Sequence, residues 1–297
     1  MFVVIGATGN TGSAVAEALL AAGEPVRVVG RSAERLQPFV EKGAEALVCD
    51  LRDDETLTRG FAGATAAYVM IPPDPMAPHF RAYQEAVGDA LVTAIKLSGV
   101  KYAVSLSSVG AHLEAKTGPI LGLHYFEKKL NAIAGLNVLH LRPGWFMENL
   151  FHQVEPIRSY GMTAGPERGD APLPWIATRD IGAYAAERLL RRDFSGSGTR
   201  ELLGPRDLTF SEIAAVVGKA IGKPRLKYRR LPGFLMKIIM KKTGMSRDTA
   251  ELLIEMANAV NKKIITAEEK RSPENTTPTT IEEFVQSEFV ARYEKRG

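Results

Sequence analysis

Hydrophobic and polar positions in the first half of the chain alternate between short apolar or β-branched runs and longer stretches with helical spacing. Six runs read as strands, at residues 2–5, 26–29, 45–49, 67–71, 102–106 and 138–141. Helix-length segments separate them, and Gly23, Gly43 and Gly99 stand where left-handed C-terminal caps would stop a helix shortly before the next strand. This alternation predicts an α/β fold: a doubly wound parallel sheet with helices on both faces. After residue 142 the pattern weakens, and Pro156, Pro166, Pro172 and Pro174 punctuate an irregular excursion. Residues 180–193 have the spacing of a helix packing back on the first unit. A smaller, mainly helical C-terminal domain is predicted to follow, with helix starts at two capping boxes, Thr209 with Glu212 and Thr279 with Glu282. Residues 234–242 are apolar with basic interruptions and read as a core helix, and residues 268–280 as a polar surface loop.

The first predicted strand runs into Gly6-Ala7-Thr8-Gly9-Asn10-Thr11-Gly12 and then into a helical pattern. A strand entering a helix through glycines presents free backbone N–H groups at the positive end of the helix dipole, without side chains to hold an anion away. Gly6, Thr8, Gly9, Asn10, Thr11 and Gly12 are therefore candidates to bind the pyrophosphate of a dinucleotide in a Rossmann domain spanning residues 1–150. Residues 151–297 would form the substrate domain. The second strand ends in Gly30-Arg31-Ser32, with no carboxylate to accept from a ribose 2'-hydroxyl. The Arg31 guanidinium suits a 2'-phosphate, so NADP(H) is expected over NAD(H). Asp50 and Leu51, after the third strand, either meet the adenine edge or cap a turn, and Ile71, closing the fourth, completes the cofactor set. Loops at the carboxyl ends of such strands line the cleft, which makes Pro72, Pro73, Trp145, Phe146 and Asn149 the substrate-facing candidates.

Composition narrows the function. The 297 residues are 45% hydrophobic and 24% charged, which is ordinary globular usage, and the net charge is only +4. No helix-turn-helix or basic-aromatic repeat points to nucleic acid. Cys49 is the only cysteine, which excludes an intrachain disulfide and fits a reducing compartment. Only Met1 precedes the first strand, and no apolar run reaches the roughly 18 residues of a membrane span, so the expected location is cytoplasmic. The five histidines show no metal-ligand spacing, and no Gly-x-Ser-x-Gly elbow supports a hydrolase. No metal is expected.

The glycine-rich turn, Gly30-Arg31, Asp50-Leu51, Ser107-Ser108-Val109-Gly110, the run Leu141-Arg142-Pro143-Gly144-Trp145-Phe146-Met147-Glu148-Asn149 and Leu203-Gly204-Pro205 together resemble the NmrA-like, atypical branch of the short-chain dehydrogenase/reductase superfamily. The resemblance covers nearly the whole chain. It implies a Rossmann domain, a small C-terminal domain and a cleft between them. It also implies either an NADPH-dependent reductase of the quinone or isoflavone type, or a regulator that binds the dinucleotide without turning it over.

Hydride transfer to a carbonyl leaves an oxyanion, which calls for a proton donor and a nearby positive charge. Tyr125 and Lys129, at i and i+4 on one helix, match the superfamily's Tyr-x-x-x-Lys spacing, and Ser107 and Ser108 occupy the place of its substrate-binding serine. Tyr125 could equally pack its ring on the sheet, leaving Lys129 to hold the nicotinamide ribose. The expected function is an NADPH-dependent oxidoreductase acting on a small quinone or carbonyl, with an NADP(H)-sensing regulator as the alternative and a nucleotide-sugar epimerase behind both. A small-molecule substrate is the expected partner, without nucleic acid or membrane, and a homo-oligomer is left open.

Overall fold

The computed structural model of the chain describes residues 1–295. Six strands of the first half, β1 (Phe2–Ile5), β2 (Val26–Gly30), β3 (Glu45–Val48), β4 (Ala66–Val69), β5 (Tyr102–Leu106) and β6 (Asn137–Pro143), fall where the apolar runs predict them. Between and after them come α1 (Asn10–Ala21), α2 (Ala33–Val40), α3 (Asp54–Phe61), α4 (Phe80–Ser98) and α5 (Ile120–Asn131). The second half adds β7 (Trp145–Phe146), α6 (Val154–Tyr160), β8 (Thr163–Gly165), β9 (Pro172–Ile176), α7 (Thr178–Arg191), β10 (Ser197–Leu202), β11 (Asp207–Thr209), α8 (Phe210–Ala220), β12 (Tyr228–Arg230), α9 (Gly233–Lys242) and α10 (Arg247–Asn261), with further helical turns over residues 281–294.

The main sheet has the order β10-β6-β5-β4-β1-β2-β3, every pair parallel. This is a Rossmann sheet whose order reverses between β1 and β4, and the crevice outside the strands' carboxyl ends at that reversal is where such sheets bind ligands. β1 and β4 are buried along their whole length, so they read as unbroken apolar runs. Alternate residues of β1 serve two cores. Val4 packs with Val15, Leu19 and Ile181 on one face, and Val3 and Ile5 with Leu57, Leu91 and Phe126 on the other.

β10 is a seventh strand that the alternation does not predict. It lies at the sheet edge, and Ser197, Gly198, Thr199 and Arg200 supply no apolar run. α7 packs on α1, as the spacing of residues 180–193 suggests, but begins earlier. Its start is fixed from a distant part of the chain: the buried Glu148 carboxylate accepts from the Thr178 N–H at 2.9 Å and from its hydroxyl at 2.5 Å.

A second hydrophobic core is built around Trp175, Phe210, Ile213, Val217, Phe284 and Phe289. Its helices are joined by two small sheets, β11-β9-β7 and β12-β8. The capping box at Thr209 and Glu212 is present. The second box is shifted by one residue, to Thr280 and Glu283, because Thr279 is held by Asp180: its N–H donates at 3.0 Å and its hydroxyl at 2.8 Å. Residues 268–280 are more than a surface loop. Glu201 accepts from the N–H groups of Glu268 and Glu269 at 2.8 Å each, and Asn275, Thr277 and Thr279 are buried. The expectation of a core helix at residues 234–242 is corrected, since α9 buries none of its residues and leaves Phe234 66% and Ile238 49% exposed. Lys237, Lys241 and Lys242 lie on the same side of the helix as Phe234 and Ile238, which keeps that side in solvent.

The first turn is closed by backbone approach. Gly6 has φ +72°, in the left-handed region, and its carbonyl accepts from the Gly9 N–H at 2.9 Å. A Cβ on Gly12 would sit 2.2 Å from that carbonyl oxygen, which is backbone and cannot yield. Gly12→Ala should therefore destabilise the fold by about 1–3 kcal/mol through overpacking, as read by urea denaturation, and unchanged stability would contradict this account of the turn.

Candidate active site

The N-terminus of α1 is left open toward the crevice. Its Gly9 cap offers no side-chain acceptor and its first turn has no acidic residue. Among the described residues, the N–H groups of Asn10, Thr11 and Gly12 find no carbonyl. These are three free donors at the positive end of a helix dipole, an arrangement that fits a pyrophosphate. The Thr11 side chain is not part of it, because its Oγ1 accepts from the fully buried Tyr68 hydroxyl at 2.9 Å. Two cations stand beyond the turn at the end of β2. Arg31 is exposed and has no hydrogen-bond or ion-pair partner among the described residues. Arg35, one helical turn later, donates to the Thr8 carbonyl at 2.7 Å. Arg35 escaped the sequence reading, although its i+4 spacing from Arg31 could have marked it.

Asp50 and Leu51 take the turn-cap alternative. The Asp50 carboxylate accepts from the Arg52 backbone at 2.9 Å and from its guanidinium at 3.0 and 2.6 Å, and these bonds hold its pKa down at about 2. Leu51 and Ile71 are core residues, both packed in the cluster beneath β1.

A cavity of about 680 Å³ opens at the carboxyl ends of β5 and β6. Ser108, Trp145, Phe146 and Asn149 line it, together with Leu173, Met256, Val260 and Ile265 from the second half of the chain. Pro72 and Pro73 are not among the lining residues. Pro72 instead accepts from the Tyr83 hydroxyl at 2.8 Å. Trp145 is held edge-on against Phe210 at 5.7 Å. Two glycines set the cavity wall: a Cβ on Gly144 would lie 2.1 Å from the Pro174 carbonyl oxygen, and one on Gly204 would lie 1.6 Å from that of Trp175. β9 is thus clamped between the turns Arg142-Pro143-Gly144 and Leu203-Gly204-Pro205. Charged pairs stand among the lining residues, Arg168 with Asp170 at 2.7 Å and Arg271 with Asp207.

Behind the cavity lies a buried polar cluster. Ser107 donates to Glu127 at 2.5 Å, and Arg142 donates to the same carboxylate at 3.0 and 2.6 Å. Burial alone would raise the Glu127 pKa, but the bonds from Arg142 and Ser107, with His140 nearby, hold it below the usual carboxylate range. The group ties β5, α5 and β6 together at their functional ends. Ser107 is therefore occupied, whereas Ser108, whose hydroxyl donates to the Val109 carbonyl at 3.0 Å, faces the cavity.

Tyr125 and Lys129 are not brought to this place. The Tyr125 hydroxyl donates to the exposed Asp89 of α4 at 2.9 Å, and the Lys129 ammonium lies 3.2 Å from the same carboxylate and 4.9 Å from the Tyr125 ring centre. Tyr125 and Glu127 are two residues apart, about 200° around the helix. With Glu127 turned in to Ser107, Tyr125 must lie on the opposite side, in the α4/α5 groove. The spacing put the pair on one face of α5, but the sheet end chose the other face. His124 places its Nδ1 2.8 Å from the carbonyl oxygen of Ala111, on the segment after β5 that also carries Ser108.

A seven-stranded parallel Rossmann sheet with an open helix N-terminus at its first turn defines a protein of the dinucleotide-binding class. Within that class the chain belongs to the NmrA-like family, whose model matches residues 1–285. It is 29% identical to NAD(P)H azoreductase of Xenophilus azovorans over 258 residues, 86% of each chain. It is 27% identical to quinone oxidoreductase 2 of Escherichia coli over 262 residues, again 86% of each. The crystal structure of an NADPH-dependent quinone oxidoreductase from E. coli in complex with NADPH superposes with a TM-score of 0.81, at 23% identity, over 97% of this chain and all of that one.

The buried cluster makes a direct prediction. Removing the carboxylate in Glu127→Ala leaves Arg142 charged, with only the 3.8 Å contact to Glu268, where its side chain is only 11% exposed. A loss of about 3–5 kcal/mol in unfolding free energy is expected; a loss under about 1 kcal/mol would mean that the cluster does not hold the strand ends.

Proposed function

We propose that this chain is an NADPH-dependent reductase of small, flat, electron-poor acceptors of the quinone type. The observation that carries the proposal is the cavity walled by Trp145 and Phe146 at the same edge of the sheet as the open α1 N-terminus. The names of the relatives, an azoreductase and a quinone oxidoreductase, support it. In this reading the N–H groups of Asn10, Thr11 and Gly12 hold the pyrophosphate, and Arg31 and Arg35 hold the 2'-phosphate, for which a guanidinium is the suitable partner. The bound dinucleotide supplies the hydride. Trp145 and Phe146 offer aromatic faces to a planar acceptor, and Ser108 and Asn149 place hydroxyl and amide groups along the cavity to orient its oxygens.

The position of Tyr125 bears on the acceptor. A carbonyl needs an acid beside the developing oxyanion, and the Tyr125 hydroxyl is bound to Asp89 instead. A quinone accepts hydride on the strength of its own electron affinity and can take its proton from water. The reading therefore favours quinones over aldehydes and ketones.

The test is NADPH consumption, followed optically, across a panel of quinones, enals and aldehydes. Turnover is expected with quinones, and Tyr125→Phe should keep it within about twofold of the parent, since no general-acid contribution of the usual hundredfold or more is lost. A hundredfold loss in Tyr125→Phe would restore the tyrosine as the acid. Tight NADPH binding with no turnover on any acceptor would leave the dinucleotide-sensing alternative in its place.

A further inference from the structure

Between Ile213 and Arg247 the chain carries ten basic residues and no acidic one, so with a net charge of +4 overall the remainder of the protein is net −6. Among the described residues, only one of the ten has an ion-pair partner: Arg247, with Glu251 at 2.8 Å. Unneutralised charge of one sign, collected in one segment, is a footprint for an anionic surface.

α9 lies inside this segment and is the one helix of eight or more residues with no buried residue. Its main packing partner is α10, where Ile254 lies against Gly233. Viewed down its axis, Phe234 and Ile238, at i and i+4, centre an outward stripe, with Lys237 and Lys241 on one side and Lys242 on the other. Phe234 is 66% exposed, and Met76 on the neighbouring loop is 71% exposed. That loop is joined to the α9–α10 turn by the Ser246 N–H, which donates to the Pro75 carbonyl at 2.9 Å. An apolar stripe bordered by lysines whose stems can lie along it while their ammonium groups reach outward is the pattern of a helix lying in a membrane interface.

We propose that α9, with the basic segment around it, docks this protein on an anionic phospholipid surface. The chain would lie on the bilayer without crossing it, since no described helix is long and apolar enough to span. Two other occupants fit less well. A second copy of the chain meeting this face about a two-fold axis would set three lysines against three lysines. Nucleic acid would satisfy the charge but would leave Phe234 and Ile238 with nothing apolar to cover them. The proposal does not depend on the reductase reading, because vesicle binding is measured without cofactor or substrate. It does place the docking helix one helix away from the cavity, which α10 lines through Met256 and Val260.

The test is co-sedimentation of the full chain with vesicles of phosphatidylcholine alone and of phosphatidylcholine with phosphatidylglycerol at three to one. Binding to the anionic vesicles should exceed binding to the neutral ones by at least tenfold and should fall steeply at high salt. The variant K237Q/K241Q/K242Q should lose that advantage. F234S/I238S, which keeps every charge, should weaken anionic binding about tenfold or more. All these side chains are exposed or half-buried, so the fold should be unaffected, as unchanged circular dichroism and thermal midpoint would verify. Failure to sediment with anionic vesicles would overturn the proposal. Binding indifferent to F234S/I238S and displaced by duplex DNA would assign the segment to nucleic acid, and a dimer abolished by F234S/I238S without any vesicle binding would assign it to self-association.

Discussion

Backbone lies directly against backbone at Gly12, Gly144 and Gly204, and the cleft has its shape because no side chain intervenes at any of the three. At Gly12 the approach seats the first turn of α1 under the Gly6 carbonyl, and the N–H groups of Asn10, Thr11 and Gly12 find no carbonyl among the described residues. At Gly144 and Gly204 it wedges β9 between two turns, so that Pro172, Leu173 and Pro174 form a wall of the cavity. All three glycines belong to the motifs that mark the family. Their contribution is steric: a methyl group at each would meet a carbonyl oxygen at 2.2 Å or less. One kind of constraint thus shapes both the first turn and the cavity.

Charged residues divide into two sets by burial. Glu127 with Arg142, and Glu148 with Thr178, find their partners inside the protein, where they fix the ends of strands and helices around the cleft. Arg31 and, Arg247 apart, the basic residues around α9 are exposed or half-buried and have no ion-pair partners within the described residues. Substitutions in the two sets should separate cleanly, the buried set affecting folding and the exposed set affecting binding.

The sheet was legible because β1 and β4 are buried on both faces and read as apolar runs, and because Gly23, Gly43 and Gly99 take the positive φ their positions require. β10 was not, since an edge strand needs few apolar residues and Ser197 to Arg200 supply none. The start of α7 and the second capping box were displaced by partners about 30 and 99 residues away, Glu148 on Thr178 and Asp180 on Thr279, which no local pattern encodes. At the site, the glycine-rich turn and the aromatic pair at Trp145 and Phe146 could be read from spacing. Tyr125 and Lys129 could not: i, i+4 spacing establishes that two residues share a helix face, but which face meets the sheet end was decided by Glu127 finding Ser107 and Arg142. The same limit explains α9, whose apolar residues suggest a core helix although spacing does not say how deeply a face is covered.

The central claim is that the crevice at the first turn is built for a dinucleotide carrying a 2'-phosphate. Equilibrium titration of the unmodified chain with NADPH and with NADH, followed by cofactor fluorescence, tests it most directly. A charge-assisted contact from Arg31 is worth about 1.5–3 kcal/mol, so NADPH should bind roughly ten to more than a hundred times more tightly, and Arg31→Ala should erase most of that margin while leaving NADH unaffected. Equal affinities for the two cofactors, or a preference for NADPH that survives Arg31→Ala and Arg35→Ala together, would contradict the account.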